Sequence, residues 1–209
     1  MKLTHLLEMP QIVYFNYGTA NDKIQKILKN FKITDFEIVD KKLNLYKSTD
    51  GPWSEIWFII FNKKKTDIDF IVKFKQDAIK LQKTIPVITP YFTYKKNDNL
   101  DSIVSKVYKI ASKTLKRPIL SDLKQTDDMA SIWISFMENK SKYNIKFCEF
   151  VDTKTNKIMN KDDITKTDHG IFNKFEQGLR YRILLDYKNT MIESLEEDES
   201  NSIYFLGVK

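Results

Sequence analysis

The sequence predicts an α+β protein built on a mixed, mostly antiparallel sheet flanked by helices. Three observations predict it. Short segments of alternating character between Phe36 and Tyr94 read as consecutive strands. Two later segments, Leu100–Ala111 and Met129–Met137, switch to helical spacing. Strand signals then return, around Cys148 and again over residues 179–187. Runs of strands followed by strand–helix alternation give α+β.

Each element has a local reason. Gln11–Tyr17 is aromatic and β-branched, which predicts a strand. Asn21 can cap a helix whose apolar face is Ile24, Ile27, Leu28 and Phe31. Phe36 and Ile38 alternate with acids, and Leu43 and Leu45 with polar groups. Ser48–Pro52 is a turn sequence, and Trp53–Phe61 is a strand apolar on both faces. Lys63–Lys65 turns the chain into Ile68, Phe70, Val72 and Phe74, a half-buried strand paired with its predecessor. Ile85–Tyr94 is a further strand, and Pro86 and Pro90 place part of it at an edge or a bulge. Pro118 ends the long helix, Ile119-Leu120 is a short strand, and Thr126 caps the second helix, which buries Met129, Ile132, Trp133, Phe136 and Met137. Tyr143–Val151 is a strand, Asp152–Asn156 a turn, Lys157–Gly170 a polar loop and Leu179–Tyr187 a late strand. One face of the sheet is expected to carry the first helix, and the other the later pair.

Composition narrows the class. The chain has 209 residues, 42% hydrophobic and 30% charged, enough for a sizeable core and incompatible with wholesale disorder. Five Gly and five Pro exclude collagen-like and low-complexity architectures. Lys+Arg is 35 against 28 acids, a formal charge of +7, yet the only arginines are Arg117, Arg180 and Arg182. Abundant Lys, Asn and Ile with scarce Ala reads first as an AT-rich coding sequence. Cys148 is alone, so an intrachain disulfide is excluded, and Phe147 and Phe150 beside it predict a buried, inert thiol. Residues 1–8 lack a signal-peptide core, and the longest apolar run, Ile56–Phe61, is far short of a membrane span. A soluble protein with no membrane partner is expected.

The order of elements resembles the GNAT acyltransferase superfamily. There, a hairpin-rich sheet leads to a strand, a long helix, a short strand and a further helix. Leu120-Ser121-Asp122, Gln125-Thr126 and Trp133 also resemble a recurring stretch in GNAT-like proteins of tailed phages. In those, a strand ending in Ser-Asp is followed by Gln-Thr/Ser and then a helix bearing a Trp. The likeness covers residues from about Lys42 to Val151, roughly half the chain. It implies a single GNAT-like domain over residues 1–192 and an acidic C-terminal segment, 193–209, with a possible final strand.

The superfamily binds the pyrophosphate of an acyl-CoA on backbone N–H groups, at a Q/R-x-x-G-x-G/A turn before its long helix. The matching place here reads Lys95-Lys96-Asn97-Asp98-Asn99-Leu100-Asp101-Ser102, without a glycine. Asp98 and Asp101 would also oppose a pyrophosphate by like charge, although the simpler reading is that both cap the helix. The positions carried over as cofactor-binding are Tyr94, Lys95, Lys96, Asn97 and Asn99. Ser121, Asp122, Gln125 and Thr126 form a candidate polar site at a strand end, or a turn and helix cap. The resemblance and the missing glycines together imply a phage-like accessory or virion-associated protein. It would act by binding a phage or host protein, in the host cytoplasm or the virion, with no cofactor. One alternative is an active N-acyltransferase using acetyl-CoA or another acyl-CoA at an atypical site, and another is a nucleic-acid-binding protein acting through its lysine-rich faces.

Other constellations are thin. His5 and His169 are the only histidines, too few for a His-based metal cluster, and no G-x-x-x-x-G-K loop is present. No metal is expected. Lys106, Lys109, Lys113 and Lys116 lie along one side of the long helix, and Lys63–Lys65 crowd one turn. Such stripes can follow a nucleic-acid backbone or simply be solvated. Glu193, Glu196, Glu197, Asp198 and Glu199 form an acidic stretch that leaves about +11 on residues 1–192.

Overall fold

The structure, a computed structural model, describes residues 35–48, 55–65, 67–96, 101–122, 127–159 and 181–188. In chain order its elements are strands β1 (Phe36–Asp40), β2 (Leu45–Ser48), β3 (Glu55–Phe61), β4 (Ile68–Lys80) and β5 (Thr84–Lys95), then helix α1 (Asp101–Leu115) and strand β6 (Ile119–Leu120). Helix α2 (Asp127–Glu138), the helical turn α3 (Lys140–Tyr143), and strands β7 (Phe147–Asp152), β8 (Lys157–Met159) and β9 (Tyr181–Asp186) complete them. The expected elements at Gln11–Tyr17, Ile24–Phe31 and Ile203–Val208 lie outside the described residues, as does the acidic stretch.

Among the described residues the strands form one nine-stranded sheet in the order β1-β2-β3-β4-β5-β6-β9-β7-β8. Only β5 and β6 pair in parallel, and every other neighbour is antiparallel. The fold is therefore α+β on a mixed, mostly antiparallel sheet. β4 and β5 form its long central hairpin, in register from Phe70 opposite Lys95 to Lys80 opposite Thr84. The ladder shifts at Lys73/Phe74, with Phe74 opposite Pro90 and Lys73 opposite Phe92. A bulge at Pro90 was one of the two expectations for β5; an edge position for that strand was the other, and β5 lies in the interior.

Three sequence expectations need correction. Residues 143–146 are not strand. Tyr143 closes α3, and Asn144 takes a left-handed φ of 54° that turns the chain into β7. Residues 157–159 are not loop but β8, paired from Phe150 opposite Met159 to Asp152 opposite Lys157. Leu43 precedes its strand, in a turn where Asp40 Oδ1 accepts the Leu43 N–H at 2.9 Å.

Tight turns normally call on glycine, which is scarce here. Among the described residues the left-handed positions fall instead to Asn44, Asn144, Asn156, Lys65 and Lys116. Asparagine tolerates that region best of the non-glycine residues. Lys116 ends α1: the Arg117 N–H donates to the Ser112 carbonyl at 3.1 Å, and Ser112 Oγ donates back to the Arg117 carbonyl at 2.8 Å. That 6→1 closure satisfies carbonyls that the helix end leaves open.

The main core lies on one sheet face. Phe58, Phe70, Val72, Phe74, Ile88, Ile119, Phe150, Ile183 and Leu185 meet Ile103, Val104, Val107, Tyr108 and Ala111 of α1 and Trp133, Phe136 and Met137 of α2. Both later helices thus share one face, as their apolar spacing predicts. A chain of ring contacts, Phe58–Phe74–Tyr108–Trp133–Phe136–Tyr143, crosses from sheet to helices with centroids 5.1–5.8 Å apart. Alternate residues of the same strands build two clusters on the opposite face, one around Trp57, Ile59 and Ile71 and one around Val87, Leu120 and Leu184. β3 is accordingly apolar on both faces.

Trp133 is 1% exposed at the centre of the ring chain. Trp133→Ala should lower stability by about 3–5 kcal/mol. Ile38→Thr, at an exposed position of β1, should change it by less than ~0.5 kcal/mol. Urea unfolding monitored by circular dichroism distinguishes them, and equal midpoints would refute this core.

Candidate functional site

β5 and β6 meet at a single register point, Ile88 opposite Ile119. There the Ile88 N–H donates to the Pro118 carbonyl at 3.0 Å. β6 stops at Leu120, while β5 runs on to Lys95. Beyond Ile88 the two strands part, and polar side chains gather at the parting.

One group lies on the sheet face opposite α1. Thr89 of β5 and Asp77 of β4 share this face, and Arg182 reaches it from β9. Arg182 is only 7% exposed. Its Nε donates to the Ser121 carbonyl at 2.6 Å, and its Nη2 to Thr89 Oγ1 at 2.9 Å. Both Nη atoms lie 3.4 Å from Asp77 Oδ2, which also accepts from Thr89 Oγ1 at 3.1 Å. Burial works against the guanidinium charge, while Asp77 and Asp122 favour it. Four strands are tied through this one side chain.

Ser121 works as a suture. Its N–H donates to the Ile183 carbonyl and its Oγ accepts the Ile183 N–H, both at 2.8 Å. The side chain thus continues the β6–β9 ladder for one more step after the strand has ended. Asp122 follows, 8% exposed, and its charge acts on Arg182 and on Tyr108 alike.

Tyr108 approaches from α1 on the other face. It is completely buried, and its hydroxyl lacks a hydrogen-bonding partner of good geometry. Thr93, opposite Val72 on the core face of β5, lies beside it. Burial pushes the phenol well above its ordinary pKa of 10.0, so it stays protonated at neutral pH. An unpaired buried hydroxyl costs on the order of 1–3 kcal/mol. Chemically it is a proton donor and hydrogen-bond donor, not a base.

Of the positions carried over as cofactor-binding, Tyr94, Lys95 and Lys96 lie among the described residues. Tyr94 sits opposite Ile71 and packs on the Trp57 cluster. Lys96 is bound to the β3–β4 turn: its Nζ lies 2.5 Å from Asp67 Oδ2, and its N–H donates to the Asp69 carbonyl at 2.9 Å. Asp67 is the main reason the Lys96 pKa is raised. Lys95 is half-buried at the end of β5. Asn97, Asn99, Gln125 and Thr126 lie outside the described residues, so of the candidate polar site the structure brings Ser121 and Asp122 together at the parting.

Asp77, Thr89, Tyr108 and Arg182 were not singled out from the sequence. Two had a legible signal. Arg182 interrupts an apolar strand in a chain with three arginines, and Tyr108 places a hydroxyl on an otherwise apolar helix face. Among the described residues no group of His, Cys, Asp and Glu could hold a metal, and no helix is long and apolar enough to cross a membrane.

The fold and site define an α+β protein whose single sheet is joined between β5 and β6 at one register point. No protein-family model, no curated protein and no solved structure matches the chain.

Arg182→Met should cost about 3 kcal/mol, because it takes the buried donor from the Ser121 carbonyl and the cation from Asp77. Asp77→Asn should cost about 1 kcal/mol, since the Asp77 side chain is 31% exposed and keeps an acceptor. A loss under ~1 kcal/mol for Arg182→Met in urea unfolding would show that the guanidinium is no tie.

Alkaline pH tests the buried protons. Burial raises the Cys148 thiol from 9.0 to about 12 and holds the Tyr108 and Tyr187 phenols above 10.0. The folded state therefore keeps protons that the unfolded chain releases. Their stabilising effect is complete below pH 9 and is lost as pH rises. Stability should be level from pH 7 to 8.5 and fall by on the order of 2–3 kcal/mol at pH 11 through Cys148 alone. The Cys148 thiol should resist alkylation at pH 8 until the chain is unfolded. Rapid labelling of the native protein would contradict its burial.

Proposed function

We propose that this chain is an accessory protein on a GNAT-like scaffold that works by binding a partner and not by acyl transfer. The observation that carries this reading is the filled parting between β5 and β6. A site for an acyl donor between these strands needs room and free backbone donors. Here the parting is occupied by buried side chains of the chain itself: Thr89, Thr93, Ser121, Asp122 and Arg182. The guanidinium is already committed to Ser121, Thr89 and Asp77.

The order β3, β4, β5, α1, β6, α2 supports the scaffold, because it follows the hairpins, strand, long helix, short strand and further helix that the resemblance implies. The stretch from Leu120 to Trp133 supports a phage setting by its likeness to phage proteins. In this chain its described polar and aromatic members serve the framework: Ser121 sutures two strands and Trp133 fills the core. A phage or host protein is the partner that fits this reading.

The second reading, an N-acyltransferase with an atypical donor site, draws on one observation. A buried, protonated and unpartnered Tyr108 hydroxyl lies beside the parting, where it could donate to a carbonyl or a leaving thiolate.

Isothermal calorimetry with acetyl-CoA at moderate salt decides between them. No heat of binding is expected up to about 1 mM ligand. Saturable binding that weakens tenfold or more in Tyr108→Phe would overturn the first reading and favour the second.

A further inference from the structure

The outer side of α1 is unusual in a way the fold does not require. Lys106, Lys109, Lys113 and Lys116 follow one another at spacings of three and four residues. Lys106, Lys113 and Lys116 are exposed and Lys109 is half-buried. Residues three and four apart on a helix are neighbours, and like charges there repel. After Asp101, α1 carries no acid to relieve them. Its polar residues in between are serines and Thr114. The ion pairs among the described residues join Lys47 to Glu37, Lys96 to Asp67, Lys140 to Glu149 and Arg182 to Asp77, and none involves this row. The negative end of the helix dipole favours Lys113 and Lys116. It leaves Lys106 and Lys109, in the middle of the helix, unexplained. Helix α1 also contacts β1, and the turn after β1 adds exposed Lys41 and Lys42.

We propose that this row is a track for the phosphate backbone of duplex nucleic acid, bound without regard to sequence. The inference names a partner beyond the binding role above and stands on a different surface. At 1.5 Å per residue the row extends about 15 Å, which spans roughly four base pairs. Lysine supplies mobile point charges suited to phosphate. The row has no arginine to read base edges and no exposed aromatic to stack on unpaired bases. A protein interface would need an apolar or aromatic centre, and the exposed side of α1 offers none. A membrane-lying helix would insert its apolar face, but Ile103, Val104 and Val107 are buried against the sheet.

The test is fluorescence anisotropy of the full chain with a labelled mixed-sequence DNA duplex, titrated at several salt concentrations. Three to four phosphate contacts predict a log–log salt slope of about −3, or roughly 60-fold weaker binding from 50 to 200 mM salt. The variant Lys106→Gln/Lys109→Gln/Lys113→Gln should flatten the slope by two to three. A control with the same change of charge, Lys63→Gln/Lys64→Gln/Lys65→Asn, should leave it within about 0.5 of the parent. Circular dichroism checks that both variants fold. Equal losses in the two variants would mean net charge alone and would overturn the track. So would no binding at low salt, or binding to polyglutamate or anionic vesicles as tight as to the duplex.

Discussion

One short parallel contact holds the sheet together. A parallel pair cannot be made by a tight turn, so the chain must leave β5, cross through α1 and return as β6. The returning strand is two residues long and meets β5 at one register point. Two residues cannot hold a sheet by themselves. β9 secures them from the other side, pairing Leu185 with Ile119 and Leu184 with Leu120. Ser121 then lends its hydroxyl to the ladder, and Arg182 reaches across β6 to β5 and β4. The first five strands form a set of hairpins with its own register, and the last strands form another. Their union depends on this seam and on the aromatic contacts that α1 and α2 lay beneath it.

The seam also shows what Ser121 and Asp122 do in this protein. Ser-Asp at the end of a strand invites a reading as a binding site. Here the serine completes a ladder, and the aspartate places negative charge between a buried phenol and a buried guanidinium. Enclosed polar groups of this kind are costly when alone and tolerable when matched. Arg182 is matched by two oxygens and a carboxylate. Tyr108 is the exception: its hydroxyl lies beside Thr93 without a well-formed hydrogen bond.

Much of the fold was legible because its signals are local. The alternation of Ile68, Phe70, Val72 and Phe74 and the spacing of Val104, Val107, Tyr108 and Ala111 need no knowledge of distant residues. What was not legible is non-local or polar. Residues 75–80 (KQDAIK) lack an apolar rhythm, yet they extend β4, because the Thr84–Thr89 stretch of β5 lies opposite them. β8 is largely exposed and reads as loop, and only β7 gives it a partner. Tyr143 looked like the start of a strand, but its ring is used against Phe136. The candidate site was half legible. Ser121 and Asp122 stand out as a polar strand end, whereas Asp77 and Arg182 are 105 positions apart and only the sheet order joins them.

The place of β9 bears on how the molecule is made. It sits between β6 and β7, although both precede it in the chain. During synthesis the central hairpins can close as soon as they emerge, each strand beside its predecessor. β6 and β7 must wait for residues 181–186, and Ser121 meets Ile183 only after 62 further positions. Until then β6 and β7 each present one open edge, the form most open to pairing with another molecule.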